Sequence, residues 1–158
     1  MRICLIELPG VDVGLNIGLG YLASSLMEKG HYVRVIDLNN NSLDIEKRLK
    51  ETGDYDMVGI SLKSSAIQSV QKVSEMVQSK NLICGGPHTT VDGHNFLSQN
   101  ENFNVAVIGE GEETLVEIAD SIENNGGLGD IKGIIYRDEN RIVANPARGF
   151  IADLDSFP

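Results

Sequence analysis

Two short stretches bring together the residue types that hold polar ligand groups. Residues 84–90 read Cys-Gly-Gly-Pro-His-Thr-Thr, and residues 109–113 read Gly-Glu-Gly-Glu-Glu. Glycine has no Cβ, so Gly85 and Gly86 either let a backbone pass close to a bound molecule or simply make a tight loop. Pro87 fixes the exit of that loop, and His88 and Thr89 add an imidazole and a hydroxyl. Gly109 and Gly111 would shape a second ligand-facing turn. Glu110 there could accept a hydrogen bond from a ligand amide, while Glu112 and Glu113 sit favourably at a helix N-terminus. Ser61, Lys63, Ser64 and Ser65 form a third polar stretch, and a fourth runs from Pro9 through Asn16 to Gly18, Leu19 and Gly20.

These stretches fall at related places in a repeating pattern. Short apolar runs alternate with segments of helical period, which predicts an α/β fold around a mostly parallel sheet. The strands are read at 2–8, 32–38, 55–62, 81–86 and 104–110. The first helix, 17–30, places Leu19, Leu22, Leu26 and Met27 on one face and stops at Gly30. A short polar helix follows, capped by Ser42 and ended by Gly53. Ala66, Ile67, Val70, Val73 and Val77 make a stripe on the third helix, a less regular helix is expected from Val91 to Gln99, and the fifth buries Leu115, Ile118, Ala119 and Ile122. The expected fold is therefore a flavodoxin-like, doubly wound five-stranded parallel sheet. The period changes after Gly133, where residues 133–146 read as a C-terminal β-hairpin extension. The expected division is an α/β ligand-binding domain at 1–130 and a hairpin and linker at 131–158. In open parallel sheets ligands sit outside the carboxyl ends of the strands, and the polar stretches above form that rim.

Composition removes several classes of function. At 158 residues the chain is the size of one ordinary domain. A formal charge of −10 argues against nucleic acid and against an anionic membrane surface as partners. The N-terminal sequence lacks a secretory signal and no apolar run reaches membrane-spanning length, so a cytoplasmic location is expected. Cys4 and Cys84 lie in apolar runs and read as buried free thiols, too few for a zinc or iron–sulfur site.

Two familiar occupants of such a rim can be tested. A phosphorylated receiver needs an aspartate at the end of strand three, where Ser61 stands. A dinucleotide fold needs G-x-G-x-x-G/A in the first turn; Gly18, Gly20 and Ala23 supply the spacing and Asp37 the acid after strand two. However, about ten residues separate Leu8 from Gly18. The alternative for these glycines is close packing of the first helix against the sheet or a ligand.

The order of features resembles the cobalamin-binding domain that precedes the catalytic barrel in cobalamin-dependent radical-SAM enzymes. The resemblance rests on 18–39, Val58 to Ser65, "CGGPHTT", "VIGEGEETLVEI", "IKGIIYRDENRIVANP" and the closing "IADLDSFP". It implies a corrin carried over the strand C-termini, with its nucleotide tail threaded beside the sheet. Ser61 would match the serine of the family's S-x-L motif, with Lys63 standing in place of the leucine, and Gly85 and Gly86 would match the paired glycines that make room for the tail. Many such domains carry D-x-H-x-x-G after strand one; here Pro9 stands at the histidine position. The resemblance thus implies cobalamin bound base-off with no strand-one histidine on cobalt. His88 is expected beside the corrin in a proton-donating or packing role, while His31 and His94 are expected to be solvated. The chain is expected to lead into a downstream radical-SAM domain of the same polypeptide, which would hold S-adenosylmethionine and a [4Fe-4S] cluster and perform methyl transfer or related chemistry, porphyrin ring cyclisation included. This chain itself would bind without turnover. A nucleotide-binding module and a docking domain that binds nothing remain the alternatives.

Overall fold

Strands that are apolar on both sides demand cover on both faces, and the computed structural model supplies it. It describes residues 1–10, 16–39 and 44–149. Among these, β1 (Arg2–Glu7), β2 (Tyr32–Asp37), β3 (Met57–Ser61), β4 (Leu82–Gly85), β5 (Val105–Val107), β6 (Ile134–Asp138) and β7 (Arg141–Ala144) form one sheet in the order β2-β1-β3-β4-β5-β6-β7. The first five pair in parallel, and β6 and β7 continue the sheet antiparallel beyond β5.

The helices are α1 (Ile17–Glu28), α2 (Ile45–Lys50), α3 (Ile67–Met76), α4 (Pro87–Gln99) and α5 (Glu112–Glu123). Alternate strand residues divide the core. Ile3, Leu5, Met57, Ile83 and Val105 face α1 and α5, whereas Cys4, Ile6, Val58, Ile60 and Ala106 face α2, α3 and α4. Helix α1 ends as its glycine predicts: Gly30 adopts φ +85, its N–H bonds Met27 O at 2.9 Å, and His31 N–H bonds Leu26 O at 3.2 Å.

Four expectations need correction. Met27 is 60% exposed, because it lies a hundred degrees round the helix from Leu26 and off the buried stripe. His31 is buried rather than solvated: its ring is covered by the chain's first residue and by Asp120 and Glu123 at the end of α5. Helix α4 begins at Pro87 instead of Val91, since proline at the first helical position needs no N–H partner, and it kinks at Asp92. Gly20 does not bring α1 close to anything, as a Cβ there would meet no atom within 4 Å. Ser42 lies outside the described residues; Asp44 caps α2 by accepting from Lys47 N–H.

The hairpin is stitched to the sheet by more than its own ladder. Arg137 donates to Leu97 O at 2.6 Å, and Asn145 donates to Leu128 O and Ile131 O at 2.7 and 2.8 Å. Arg148 then pairs with Glu113 at 2.8 Å and with Glu117, and donates to Thr114 Oγ1 at 2.9 Å, so the chain beyond β7 lies along α5. No described helix is long and apolar enough to cross a membrane.

Candidate functional site

The strand register places Glu7, Ser61 and Gly85 side by side at the carboxyl ends of β1, β3 and β4. Asn16, the N-cap of α1, joins them: its side-chain oxygen accepts from Leu19 N–H at 3.1 Å, and its Nδ2 donates to Glu7 and, at 3.2 Å, to Ser61 Oγ. Glu7, only 5% exposed, also pairs with Lys63 Nζ at 2.8 Å. A buried carboxylate is tolerable because it is paired and hydrogen-bonded. The result is a fixed polar edge at the point where the strand order reverses.

Beyond that edge, on the α1/α5 face, the sheet is left bare. The inward positions near the ends of β3 and β4 are Gly59, Ser61 and Gly85, so the two helices enclose a cavity of ≈ 660 Å³ where side chains would otherwise stand. Leu19, Leu22, Ile83, Val107 and Leu115 make its walls apolar. Such a volume with few polar groups is typical of small-molecule sites.

The two glycines have different jobs. Gly86 has φ +106, and a Cβ there would lie 2.9 Å from Leu62 O, so the backbone itself requires glycine. The same crossing is closed by Leu62 N–H to Gly85 O at 2.7 Å and His88 N–H to Leu62 O at 3.2 Å. A Cβ on Gly85 would meet only Val107 at an ordinary 3.5 Å and would occupy the cavity. Thr90 ties this turn to the next one, donating to Gly86 O and accepting from Gly109 N–H, both at 3.1 Å.

Of the residues singled out in the sequence, Asn16, Gly18, Leu19, Ser61, Lys63, Gly85, Gly86, Pro87, Gly109, Glu110 and Gly111 line the cavity. Six do not. Gly20 is exposed on α1, and Pro9, half-buried, follows β1 outside the lining. Ser65 lines a small depression with Gly10 and Lys63. Ser64 Oγ meets His88 Nδ1 at 3.2 Å, and the half-buried His88 ring packs edge-on against Phe96 at 6.2 Å. Thr89 is fully buried. His94 is exposed, as expected.

Sequence reasoning missed Gly59, Leu22, Thr90 and Glu112 as lining residues, and Glu7 as the anchor of the polar edge. A partial signal existed for the first: Gly59 and Ser61 are two apart, hence small residues on one face of β3. Of the two free, buried cysteines, Cys84 is among the lining residues and Cys4 is not. Burial pushes the Cys4 thiol up to about 12, and burial raises Cys84 as well.

A parallel sheet with small residues at its strand ends and a lined cavity between two flanking helices defines a Rossmann-like ligand-binding domain. Residues 10–119 match the B12-binding domain family. The chain belongs to that family, and is a cobalamin-binding domain like those of radical-SAM enzymes. It is 32% identical over 152 residues to an uncharacterised methyltransferase of Pyrococcus horikoshii, covering 92% of this chain and 33% of that protein. It is 26% identical over 173 residues to the anaerobic magnesium-protoporphyrin IX monomethyl ester cyclase of Synechocystis, covering 99% of this chain and 35% of that one. The chain therefore spans about a third of the curated relatives it matches.

Solved structures agree on the fold. The radical S-adenosylmethionine methyltransferase TsrM from Kitasatospora setae, with cobalamin and a [4Fe-4S] cluster bound, superposes with a TM-score of 0.83 at 18% identity, over 99% of this chain and 30% of that chain. The cobalamin-dependent S-adenosylmethionine radical enzyme OxsB with aqua-cobalamin gives 0.78 at 20% identity, over 94% of this chain and 22% of that chain.

Proposed function

We propose that this chain holds cobalamin with its nucleotide tail in the cavity between α1 and α5 and its corrin over the cavity mouth, so that the upper face of the corrin meets a radical-SAM domain further along the same polypeptide. The observation that carries this reading is the slot left by the small residues Gly59, Ser61 and Gly85, open at the strand C-termini. Its walls suit an aromatic base, and its mouth, with Gly86, Gly109 and Glu110, offers backbone and carboxylate partners for corrin amides. When bound, the cobalt would supply methyl-transfer or related radical chemistry.

This chain's residues would bind and orient. Pro9 has no ligating atom, and His88, the histidine nearest the rim, is engaged with Ser64 and Phe96. Cobalamin would therefore sit base-off, its own base withdrawn into the cavity and no imidazole from the β1 loop beneath the metal. S-adenosylmethionine and the iron–sulfur cluster belong to the downstream domain in this reading, because Cys4 and Cys84 are both buried in the core. Similarity to a named methyltransferase at 32% identity supports methyl transfer, and similarity to the cyclase at 26% identity keeps ring closure as a second reaction for the parent enzyme. Two buried free thiols also suit the reducing cytoplasm. A dinucleotide is a poorer occupant: Gly18 and Gly20 stand within α1 instead of before it, and Gly20 faces solvent.

Electron paramagnetic resonance of the complex with cob(II)alamin tests the arrangement. A spectrum without nitrogen superhyperfine splitting is expected. Splitting from one axial nitrogen would mean that the base or a histidine remains on cobalt, and would end the base-off account.

A further inference from the structure

Glu112 opens helix α5 and lines the cavity, yet it is 91% removed from solvent and its Oε2 has no hydrogen-bond partner. Its neighbour Glu113, by contrast, is exposed and paired with Arg148. A buried acceptor left unmatched is costly in the ligand-free protein, and such groups call for an explanation. Proximity to the helix N-terminus offsets part of that cost. It does not supply the missing donor, which leaves the cavity's occupant as the natural source.

Resting on the cobalamin reading above, we infer that Glu112 is a specificity-determining residue that accepts a hydrogen bond from a ribose hydroxyl of the nucleotide tail. The chemistry of the tail leaves little choice. Its benzimidazole carries no N–H when neutral, its phosphodiester only accepts and is anionic, and its linking amide N–H lies at the corrin end, by the rim. The ribose hydroxyls are the donors that remain at cavity depth. A carboxylate beside them also repels the phosphate, so Glu112 fixes which way round the tail enters. The site is thereby matched to a ligand with a hydroxylated sugar in the cavity, and would discriminate against corrinoids that lack one.

Affinities of cobalamin and of cobinamide, which has the corrin and no nucleotide, should be measured for the wild-type chain and for Glu112→Leu and Glu112→Gln, with thermal melts of each ligand-free protein. Loss of a hydrogen bond to a charged group weakens binding about tenfold to a hundredfold. Glu112→Leu is expected to weaken cobalamin by that factor, to leave cobinamide within about twofold, and to melt no lower than wild type, since it removes an unmatched buried acceptor. Glu112→Gln keeps an acceptor and should fall between. Equal weakening of both corrinoids, tighter cobalamin binding by Glu112→Leu, or a lower melting temperature without a change in selectivity overturns the assignment. If the wild-type chain retains neither corrinoid, the cobalamin reading fails first and this one with it. If it binds cobalamin and the variants are indifferent, only the ribose contact is lost.

Discussion

Adjacent glycines at 85 and 86 look interchangeable in the sequence, and the structure separates them. At Gly86 a side chain collides with the backbone of Leu62 and φ is +106, so the loss falls on the fold. Gly86→Ala should cost about 1–3 kcal/mol in urea unfolding, the scale of a residue held in a sparsely populated backbone region; an unchanged midpoint would contradict the geometry. Gly85→Val should instead leave unfolding nearly unchanged and fill the cavity. The thiols make a second residue-scale prediction. With its pKa raised from 9.0 to about 12 by burial, Cys4 stays protonated and shielded in the folded chain. Native protein should resist alkylation at neutral pH and react at both cysteines in urea. Because the folded pKa lies above the unfolded one, the contribution of Cys4 to stability is complete below pH 9.0 and fades as pH rises toward 12. A thiol that labels rapidly in the folded state would contradict the burial.

Among the elements, legibility followed local signals. The helical stripes of α1, α3 and α5 and the αL glycine after α1 are written in a few neighbouring residues, and they formed as read except at Met27, which is exposed, and at Val77, which is the C-cap of α3 instead of part of it. What depends on register was not legible. Nothing near Gly59 reveals that Ser61 will pair with Gly85, so the bare patch under the cavity appears only once β3 and β4 are aligned. His31 failed for the same reason: the groups that bury its ring come from Met1, Asp120 and Glu123, distant in sequence. The start of α4 was legible in principle, because Gly86-Pro87 is a helix-opening pair. The hairpin, expected as an extension, shares the sheet and is pinned by Arg137 to Leu97 O. Arg137→Met should therefore lower unfolding free energy by about 1.5–3 kcal/mol, the scale of a hydrogen bond made by a charged group, while Leu97 O keeps its bond from Asn100 N–H, with an unchanged denaturant slope. A neutral outcome would mean that the Arg137 contact adds nothing to the stability of the hairpin on the sheet.

For the molecule as a whole, the parts argue in one direction. The acidic balance read from the sequence disfavours polyanions; the fold sets a polar edge beside an apolar cavity at the strand C-termini; and the chain belongs to the B12-binding domain family. The candidate contacts for a corrin were legible only as a rim of Gly, Ser and Glu, since loops are polar whether or not they bind. The most direct measurement is retention of hydroxocobalamin after removal of unbound excess, read as visible absorption per chain for wild type and Gly85→Val. The account predicts about one corrinoid per wild-type chain and at least a tenfold weaker complex for the variant, with both proteins equally well folded. A folded wild-type chain that retains no corrinoid, or a Gly85→Val chain that binds as tightly as wild type, would contradict it.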